Sequence, residues 1–210
     1  MHTAYDINKP LLVSSELLLG SLDAAAEIGG ELGPSLAEAQ LDEATLSHPK
    51  GYMALHQAVN FLNDAAKRLN CSHFGFLVAK HQPPMRFSIL GQLLRFTPTL
   101  GEAIECAISF SILNSEFSRW ELQRAHGQVT LVRRTRAYYD APMVQLQVLA
   151  VTLVFKALML ISRQQLEVGY ISFAHSAPEN RALYERYFRS RVAFNQEMDG
   201  ITFSERYLGI

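Results

Sequence analysis

Hydrophobic residues are most concentrated at residues 142–166, where they leave no wide polar face on a helix. A helix that is apolar on all sides is typical of a protein core or of a membrane span. About 20 apolar residues cross a bilayer, but Gln145, Gln147 and Thr152 interrupt this run. Lys156 would also lie near the bilayer centre, at a cost of a few kcal/mol. We therefore predict a long buried helix around which the rest of the chain folds, and no membrane association.

Other segments have apolar residues three or four positions apart, which is the spacing of an amphipathic helix. These patterns predict helices at residues 14 or 15 to 28, 36–46, 52–69, 87–94, 99–113 and 180–189. Thr99 and Glu102 have the spacing of a capping box, which marks the start of a helix. Residues 73–78 are apolar and aromatic, but this segment is too short to assign from its spacing.

After Asn114 the spacing of apolar residues changes from helical to alternating. Residues 117–124 and 129–136 predict two antiparallel strands, and Gly127 between them can supply the positive φ of a tight hairpin. Val129, Leu131 and Arg133 are expected on one face of the second strand. Further strands are predicted at residues 167–174, 192–195 and 200–203. Helices followed by mixed helices and hairpin strands predict an α+β fold, in which the strands pack with the long buried helix as a single domain over residues 1–210.

Composition and charge narrow the class of protein. The chain has 210 residues, 49% of them hydrophobic, which is enough to form a core without disulfides or a metal. Its 19 basic and 20 acidic residues give a net charge of −1, which excludes a broad nucleic-acid-binding surface. Cys71 and Cys106 lack the CxxC spacing, and residues 1–10 do not have the pattern of a signal peptide. These features predict a cytoplasmic protein with reduced thiols.

Sequence motifs of common enzymes and cofactor sites do not occur in this chain. It has no nucleophile elbow, phosphate-binding glycine loop or dinucleotide fingerprint, and its seven histidines never fall at HxH or HxxxH spacing. His73 is interpreted as a packed or capping residue, and His175 as a turn residue. We therefore predict no catalytic residue, no metal site and no cofactor.

Four residues are candidates for binding a ligand: Trp120, Arg133, Lys156 and Tyr170. Lys156 lies in the middle of the apolar helix, so its amine is expected to reach the surface, pair with a carboxylate or contact an anionic ligand. Trp120 can serve either as core packing or as the wall of a ligand site. Five arginines of the hairpin form either a solvated face or a surface for an acidic effector or partner: Arg119, Arg124, Arg133, Arg134 and Arg136.

Several stretches of the chain, taken in order, resemble a known family. They are residues 52–77, which end in His73-Phe74-Gly75-Phe76-Leu77, residues 97–103, residues 168–178 with Phe173-Ala174-His175, and residues 187–203. Together they cover most of the chain. They resemble the N-terminal regulatory domain of AraC-type bacterial transcription regulators, in the arabinose-binding-like group that is distinct from the cupin sensor of the arabinose regulator.

The resemblance implies a domain that senses a small-molecule effector and forms a homodimer. Regulators of this type carry a C-terminal module with two helix-turn-helix motifs, and residues 1–210 contain no recognition helix of that kind. DNA is therefore expected to be bound only through an attached C-terminal module, and the effector is expected to shift the population of two arrangements of the domain. Within the matching stretches, His73-Phe74-Gly75 is expected to fix a close backbone contact and Thr99 with Glu102 to cap a helix, so neither is predicted to bind the effector.

An alternative function is a protein-interaction or dimerisation domain without a small-molecule effector. In that case the aromatic residues Tyr184, Tyr187 and Phe188, together with the arginine-rich hairpin, would form a partner surface. The two hypotheses predict different interiors. An apolar cavity of a few hundred Å³ with a few convergent polar groups favours a sensor, whereas a solid core with a large exposed apolar patch favours an interaction domain.

Overall fold

Helices and two β-sheets make up the described part of the computed structural model, residues 10–83, 97–135 and 141–210, which confirms the predicted α+β fold. The helices are α1 Ser21–Glu27, α2 Gly33–Glu38, α3 Glu43–Ser47, α4 Leu55–Arg68, α5 Phe74–His81, α6 Leu100–Ser109, α7 Val144–Ile161 and α8 Arg181–Phe188. The strands are β1 Leu12–Ser14, β2 Tyr52–Ala54, β3 Ser118–Ala125, β4 Gln128–Thr135, β5 Val168–Ser172, β6 Arg191–Ala193 and β7 Gly200–Ser204. Short 3₁₀ turns cover Ser15–Leu18, Ser111–Leu113 and Glu205–Gly209.

The larger sheet has the strand order β3-β4-β7-β5-β6, and β1 pairs with β2 in a separate two-stranded sheet. Strands β5 and β6 are parallel, with α8 in the connection between them, while the other pairs are antiparallel. The predicted hairpin is β3 and β4. Its two-residue turn contains His126 and Gly127 with φ of 51° and 71°, as a tight hairpin of this type requires.

The long apolar helix predicted at residues 142–166 is α7. Eight of its eighteen residues are buried, and it packs against α4 and α5. By length and composition it is also the one helix among the described residues that could cross a membrane. Its other residues are half-buried or exposed, so the prediction of a helix buried all round is wrong for one face. Several residues of that face line a cavity, among them Ala150, Leu153, Val154 and Ala157.

Helices α5 and α7 meet at Gly75. A Cβ atom added at Gly75 would overlap the carbonyl oxygen of Gln145, so the two backbones can approach this closely only with glycine here. The Gly75 N–H donates to Gln145 Oε1 at 2.8 Å, and Gln145 Nε2 donates to the Ser72 carbonyl at 2.9 Å. These contacts confirm the close backbone contact predicted for His73-Phe74-Gly75.

Two predicted helices are each divided in the structure, so the prediction of one helix in each segment is wrong. Residues 15–28 form a 3₁₀ turn and then α1, with Gly20 between them at a φ of 85°. A Cβ at Gly20 would lie 2.7 Å from the Val78 carbonyl oxygen, so this approach to α5 needs glycine. Residues 36–46 are divided into α2 and α3, and Gln40 between them has a φ of 55°.

Other boundaries are shifted in the structure. The helix predicted at residues 52–69 begins at Leu55, because the preceding residues pair with β1 as strand β2. Residues 73–78, which have no assignment from sequence, lie mostly in α5. The predicted late strands are present as β5, β6 and β7, and Thr99 caps α6 as predicted. The helix predicted at residues 87–94 and Arg136 lie outside the described residues.

Candidate ligand-binding site

A cavity of about 210 Å³ lies between α6, α7, the β3–β4 hairpin and the segment that leads from β1 into the first 3₁₀ turn. The two helices supply most of its wall through small and aliphatic side chains: Ala103, Ile104, Ala107 and Ile108 of α6, and Leu146, Ala150, Leu153, Val154, Ala157, Leu158 and Ile161 of α7. These residues recur every three or four positions, so each helix presents one apolar face to the space. Alanines at four of these positions leave room between the two helices.

Trp120 and Arg133 form part of the hairpin wall of this cavity. They are directly opposite each other in the register of β3 and β4, and both line the cavity together with Leu131 and Ser118. The predicted face with Val129, Leu131 and Arg133 is present, because all three residues are buried. The structure thus brings together two of the four residues proposed from the sequence.

Arg133 is a buried cation with incomplete partners. Its side chain is 2% exposed, and its Nη1 atom lies 3.6 Å from Asp199 Oδ2, longer than a good charge-assisted hydrogen bond of about 2.8 Å. Its Nε–H has no hydrogen-bond partner among the described residues, and its guanidinium carbon lies 5.8 Å from the centre of the Phe117 ring. Burial lowers the pKa of Arg133, while the nearby Asp199 opposes this shift. The cavity wall therefore holds a positive charge that the protein neutralises only in part.

Other described arginines of the hairpin lie on the surface. Arg119 and Arg134 contact Glu121, and Arg124 is within 4 Å of two glutamates, all at side chains that are at least one-third exposed. Such exposed pairs contribute little to stability. The hairpin arginines therefore form a solvated face, and among the described ones Arg133 is the exception.

Lys156 lies on a different side of α7 from the cavity. Its Nζ donates to the carbonyl oxygens of Ala79, Lys80 and Gln82 at 2.7, 2.9 and 2.6 Å, which are the last carbonyls of α5 and its cap. Burial lowers the pKa of Lys156 to about 8. The amine thus holds the C-terminal end of α5 and borders a separate groove of about 850 Å³ between α7 and α8.

Tyr170 is the fourth candidate from the sequence. It lies on β5, is 40% exposed and contributes to neither the cavity nor the groove. The structure therefore separates Lys156 and Tyr170 from Trp120 and Arg133.

A cysteine, a histidine and an asparagine approach each other beside α5. Cys71 Sγ lies 3.8 Å from His73 Nδ1, and Asn180 Nδ2 lies 3.3 Å from the same nitrogen. Burial raises the pKa of Cys71 and lowers that of His73, so both groups are held neutral. A reactive cysteine needs the opposite shift. Over the residues that the structure describes, no group of histidine, cysteine and carboxylate side chains has the arrangement of a metal site.

Two parts of the site, Asp199 and the alanines of α6 and α7, were not identified from the sequence. Asp199 has no recognisable pattern around it, and it reaches Arg133 only through the pairing of β7 with β4. The alanines of α6 and α7 gave a usable signal, because small residues that recur on the face of a long apolar helix fill less space than a core position needs. That signal identifies a possible gap but not what lines its opposite wall.

Comparison with known proteins places the chain in a family. The family described as the arabinose-binding domain of AraC transcription regulators, N-terminal, matches residues 29–209. The chain belongs to this family. The resemblance found in the sequence is thereby confirmed, and this AraC-type domain is of the regulatory kind that the family describes.

A solved structure has a similar fold. The crystal structure of the transcriptional regulator CdpR from Pseudomonas aeruginosa matches this AraC-type domain with a TM-score of 0.52 and 18% sequence identity. The match covers 84% of this chain and 54% of that chain, so the domain spans about half the length of CdpR. At this identity the likeness concerns the fold alone. No curated protein matches the chain by sequence.

Proposed function

We propose that this AraC-type domain is the cytoplasmic effector-sensing and dimerisation domain of a bacterial transcription regulator, and that its small-molecule effector binds in the cavity between α6, α7 and the hairpin. The observation that carries the proposal is a 210 Å³ apolar cavity with a buried, incompletely paired Arg133 in its wall. Apolar pockets with a few placed polar groups are typical of small-molecule sites. DNA is bound by an attached C-terminal module.

Helix α6 offers a path from the cavity to that module. It lines the cavity, and the N–H of its first residue, Leu100, donates to the carbonyl of Ile210 at 2.6 Å. A Cβ added at Gly101 would lie 3.0 Å from the Leu208 carbonyl oxygen, so α6 and the last turn are in close contact. An effector that favours one spacing of α6 and α7 would therefore also favour one position of residues 205–210, as in a population shift.

Fluorescence provides a direct test of effector binding. Trp120 is the single tryptophan of the chain and lines the cavity, so its emission reports ligands that enter there. Amino acids, organic acids and fatty acids would be screened by this signal and by the rise in melting temperature that a ligand of the folded state causes. We expect Ala157→Phe, which fills the cavity from α7, to abolish both responses.

The matched control is Ala182→Phe, which makes the same change at an exposed position of α8 that does not line the cavity. This variant should respond to ligand like the unchanged protein. Circular dichroism would verify that both variants are folded. A ligand response that survives in Ala157→Phe would place the binding site elsewhere and contradict the proposal.

Dimerisation has a candidate surface next to α6. Phe110, Ile112 and Leu113 are each more than 40% exposed, and Tyr52, which is 55% exposed, donates its hydroxyl to the Leu113 carbonyl at 2.9 Å. Light scattering at tens of micromolar should give the mass of a dimer, and Ile112→Asp should give a monomer, while Leu22→Asp on α1 should not. A monomeric unchanged protein would remove dimerisation from the proposal.

The alternative function is an interaction domain without an effector. The aromatic partner surface predicted for it is wrong for Tyr184 and Phe188, because both are buried, so this function would use the exposed surface of Phe110, Ile112 and Leu113. It would be favoured if the dimer forms but no ligand in the screen alters the Trp120 emission. Light scattering and the ligand screen, both carried out on one protein sample, therefore distinguish the two functions.

A further inference from the structure

We infer that the effector is a carboxylate with a compact apolar body, and that Arg133 binds its carboxylate group through the Nε–H that Asp199 leaves without a partner. This inference rests on the proposed function of the cavity as the effector site. It adds the chemical class of the ligand and the residue that selects it.

The wall of the cavity holds a buried positive charge on Arg133. A buried cation is stable only when it is paired and its N–H groups are hydrogen-bonded. Arg133 has five N–H donors, yet Asp199 lies 3.6 Å from its Nη1 and its Nε–H has no partner among the described residues. An anion in the cavity can complete this set of bonds. A carboxylate suits the site because its two oxygens match the planar guanidinium fork.

Asp199 leaves part of the Arg133 guanidinium unbonded. Its Oδ1 atom accepts the N–H of Ala174 at 3.0 Å, and its backbone carbonyl accepts the N–H of Arg133 at 2.9 Å. These two bonds keep Asp199 in place on the sheet. Its Oδ2 lies 3.6 Å from Nη1, and the Nε–H has no partner among the described residues, so a ligand carboxylate can bind at Nε while Asp199 keeps its contact with the guanidinium.

The size and chemistry of the cavity define the rest of the ligand. An apolar protein cavity of about 150 Å³ holds a benzene molecule, so 210 Å³ accommodates one ring with a short chain or an aliphatic chain of similar volume. Ala150, Leu153 and Ala157 offer no hydrogen bonds from α7. A sugar such as arabinose has a hydroxyl on nearly every carbon, and each would lose its hydrogen bonds to water against such a wall.

Arg133 determines the orientation of the ligand. A ligand carboxylate next to Arg133 is attracted by the opposite charge, while the apolar side chains of α6 and α7 contact the rest of the ligand. The wall thus gives an amphipathic acid one favoured orientation, with its apolar body between α6 and α7.

Two matched probes test the inference: 4-phenylbutyrate, which carries a carboxylate, and 4-phenylbutan-1-ol, which has the same apolar body without charge. Titrations of the full chain would follow Trp120 emission and binding heat. We expect the carboxylate to bind about ten- to a hundredfold more tightly, the range of a hydrogen bond to a charged group. L-arabinose serves as a third probe and should not bind. Equal affinity of the two phenyl compounds would overturn the inference.

Two variants separate the role of Arg133 from a loss of folding. Asp199→Asn retains an oxygen for the Ala174 N–H but removes the competing charge, so the carboxylate should bind several times more tightly than to the unchanged chain. The double variant Arg133→Met with Asp199→Asn leaves no unpaired buried charge in the free protein and should bind the acid no more tightly than the alcohol, because an ionised carboxylate would then be buried without a cation. A double variant that still prefers the acid would assign the selection to another residue and overturn the inference.

The test also distinguishes failure of this inference from failure of the proposed function. One outcome is that neither phenyl compound binds, but another compound from the effector screen alters Trp120 emission and has no such effect in Ala157→Phe. In that case the cavity is an effector site, but the carboxylate inference is overturned. If no compound gives a response that Ala157→Phe abolishes, the proposed function fails together with the inference.

Discussion

Helix α7 meets two of its helical neighbours, α5 and α6, in opposite ways. Toward α5 it uses polar side chains at both ends: Gln145 bonds the first turn of α5 and Lys156 bonds its last carbonyls. Toward α6 it presents apolar residues, including Ala150, Leu153 and Ala157. A cavity lies between the two helices there, and the helices pack together at Ala103 and Ile161.

The difference shows how one apolar helix can be both a core element and the wall of a binding site. Directional bonds at two ends fix the distance and rotation of α7 relative to α5. Because α7 is held from that side, it does not need to collapse onto α6 to be stable, and the cavity keeps its volume. A site that is formed before the ligand arrives loses less conformational entropy on binding.

The largest expected difference comes from the same substitution on the two faces. Leu149 is fully buried and lies between Gln145 and Thr152 on the face toward α5, whereas Leu153 lines the cavity and is only half-buried. Leu149→Ala should lower the free energy of unfolding by about 3–5 kcal/mol, the range for a large buried leucine. Leu153→Ala should cost about 1 kcal/mol, because its neighbours on one side are already missing. Urea unfolding would measure both, and equal costs would contradict a cavity on that face.

A second prediction concerns the closest point between α5 and α7. Gly75→Ala should lower the free energy of unfolding by about 3 kcal/mol, the upper end of the usual cost of overpacking, because the new methyl group meets the backbone of Gln145. Gly33→Ala is the matched control, since a Cβ there has no atom within 4 Å. Thermal denaturation of the two variants would check this, and a stable Gly75→Ala protein would mean that the helices can separate freely.

Much of this organisation can be predicted from the sequence, because the helical and alternating spacings report which residues share a face. They identify the long apolar helix, the hairpin with Gly127 and the α+β class. The spacing of α7 cannot tell its two faces apart, since both are apolar. Only the chain packed against each face determines whether it meets a helix or a cavity, and this information lies far away in the sequence.

Prediction of the candidate site from the sequence is limited in the same way, because the partners of each residue lie far away in the chain. Arg133 and Lys156 look alike in the sequence, as cations among apolar residues. Lys156 finds its acceptors in α5, 74 to 77 positions away, and is fully occupied by them. Arg133 meets Asp199 across the sheet but keeps an unpartnered Nε–H. Tyr170 follows a register shift in β5 and is exposed, which alternation alone does not predict.

A third prediction separates Lys156 from the cavity. Lys156→Met should lower the free energy of unfolding by about 2 kcal/mol, because three carbonyls at the end of α5 lose a charged donor. Lys80→Met, which removes an exposed pair with Glu27, should cost less than about 1 kcal/mol. Neither variant should change the response of Trp120 to ligand. Loss of that response in Lys156→Met alone would return Lys156 to the effector site.

The smallest expected effect concerns the capping of α6, the helix on the open side. The Thr99 hydroxyl accepts the Glu102 N–H at 3.2 Å, and Asp42 caps α3 in the same way through the Thr45 N–H at 2.9 Å. Thr99→Ala and Asp42→Ala should therefore each cost about 1 kcal/mol. Helix α6 borders a cavity on one face, so the loss of its cap should also speed amide hydrogen exchange in its first turns.

These two caps distinguish a general loss of stability from a local effect on the cavity. Thr99→Ala should weaken ligand binding as measured by Trp120 emission, because it loosens a wall of the cavity and the contact of Leu100 with Ile210. Asp42→Ala should leave ligand binding unchanged at the same cost in stability. Thr99→Ser retains the hydroxyl, so it should bind ligand like the unchanged protein. If both alanine variants weaken binding equally, α6 has no special relation to the cavity, and its contact with the last turn does not carry the effector signal.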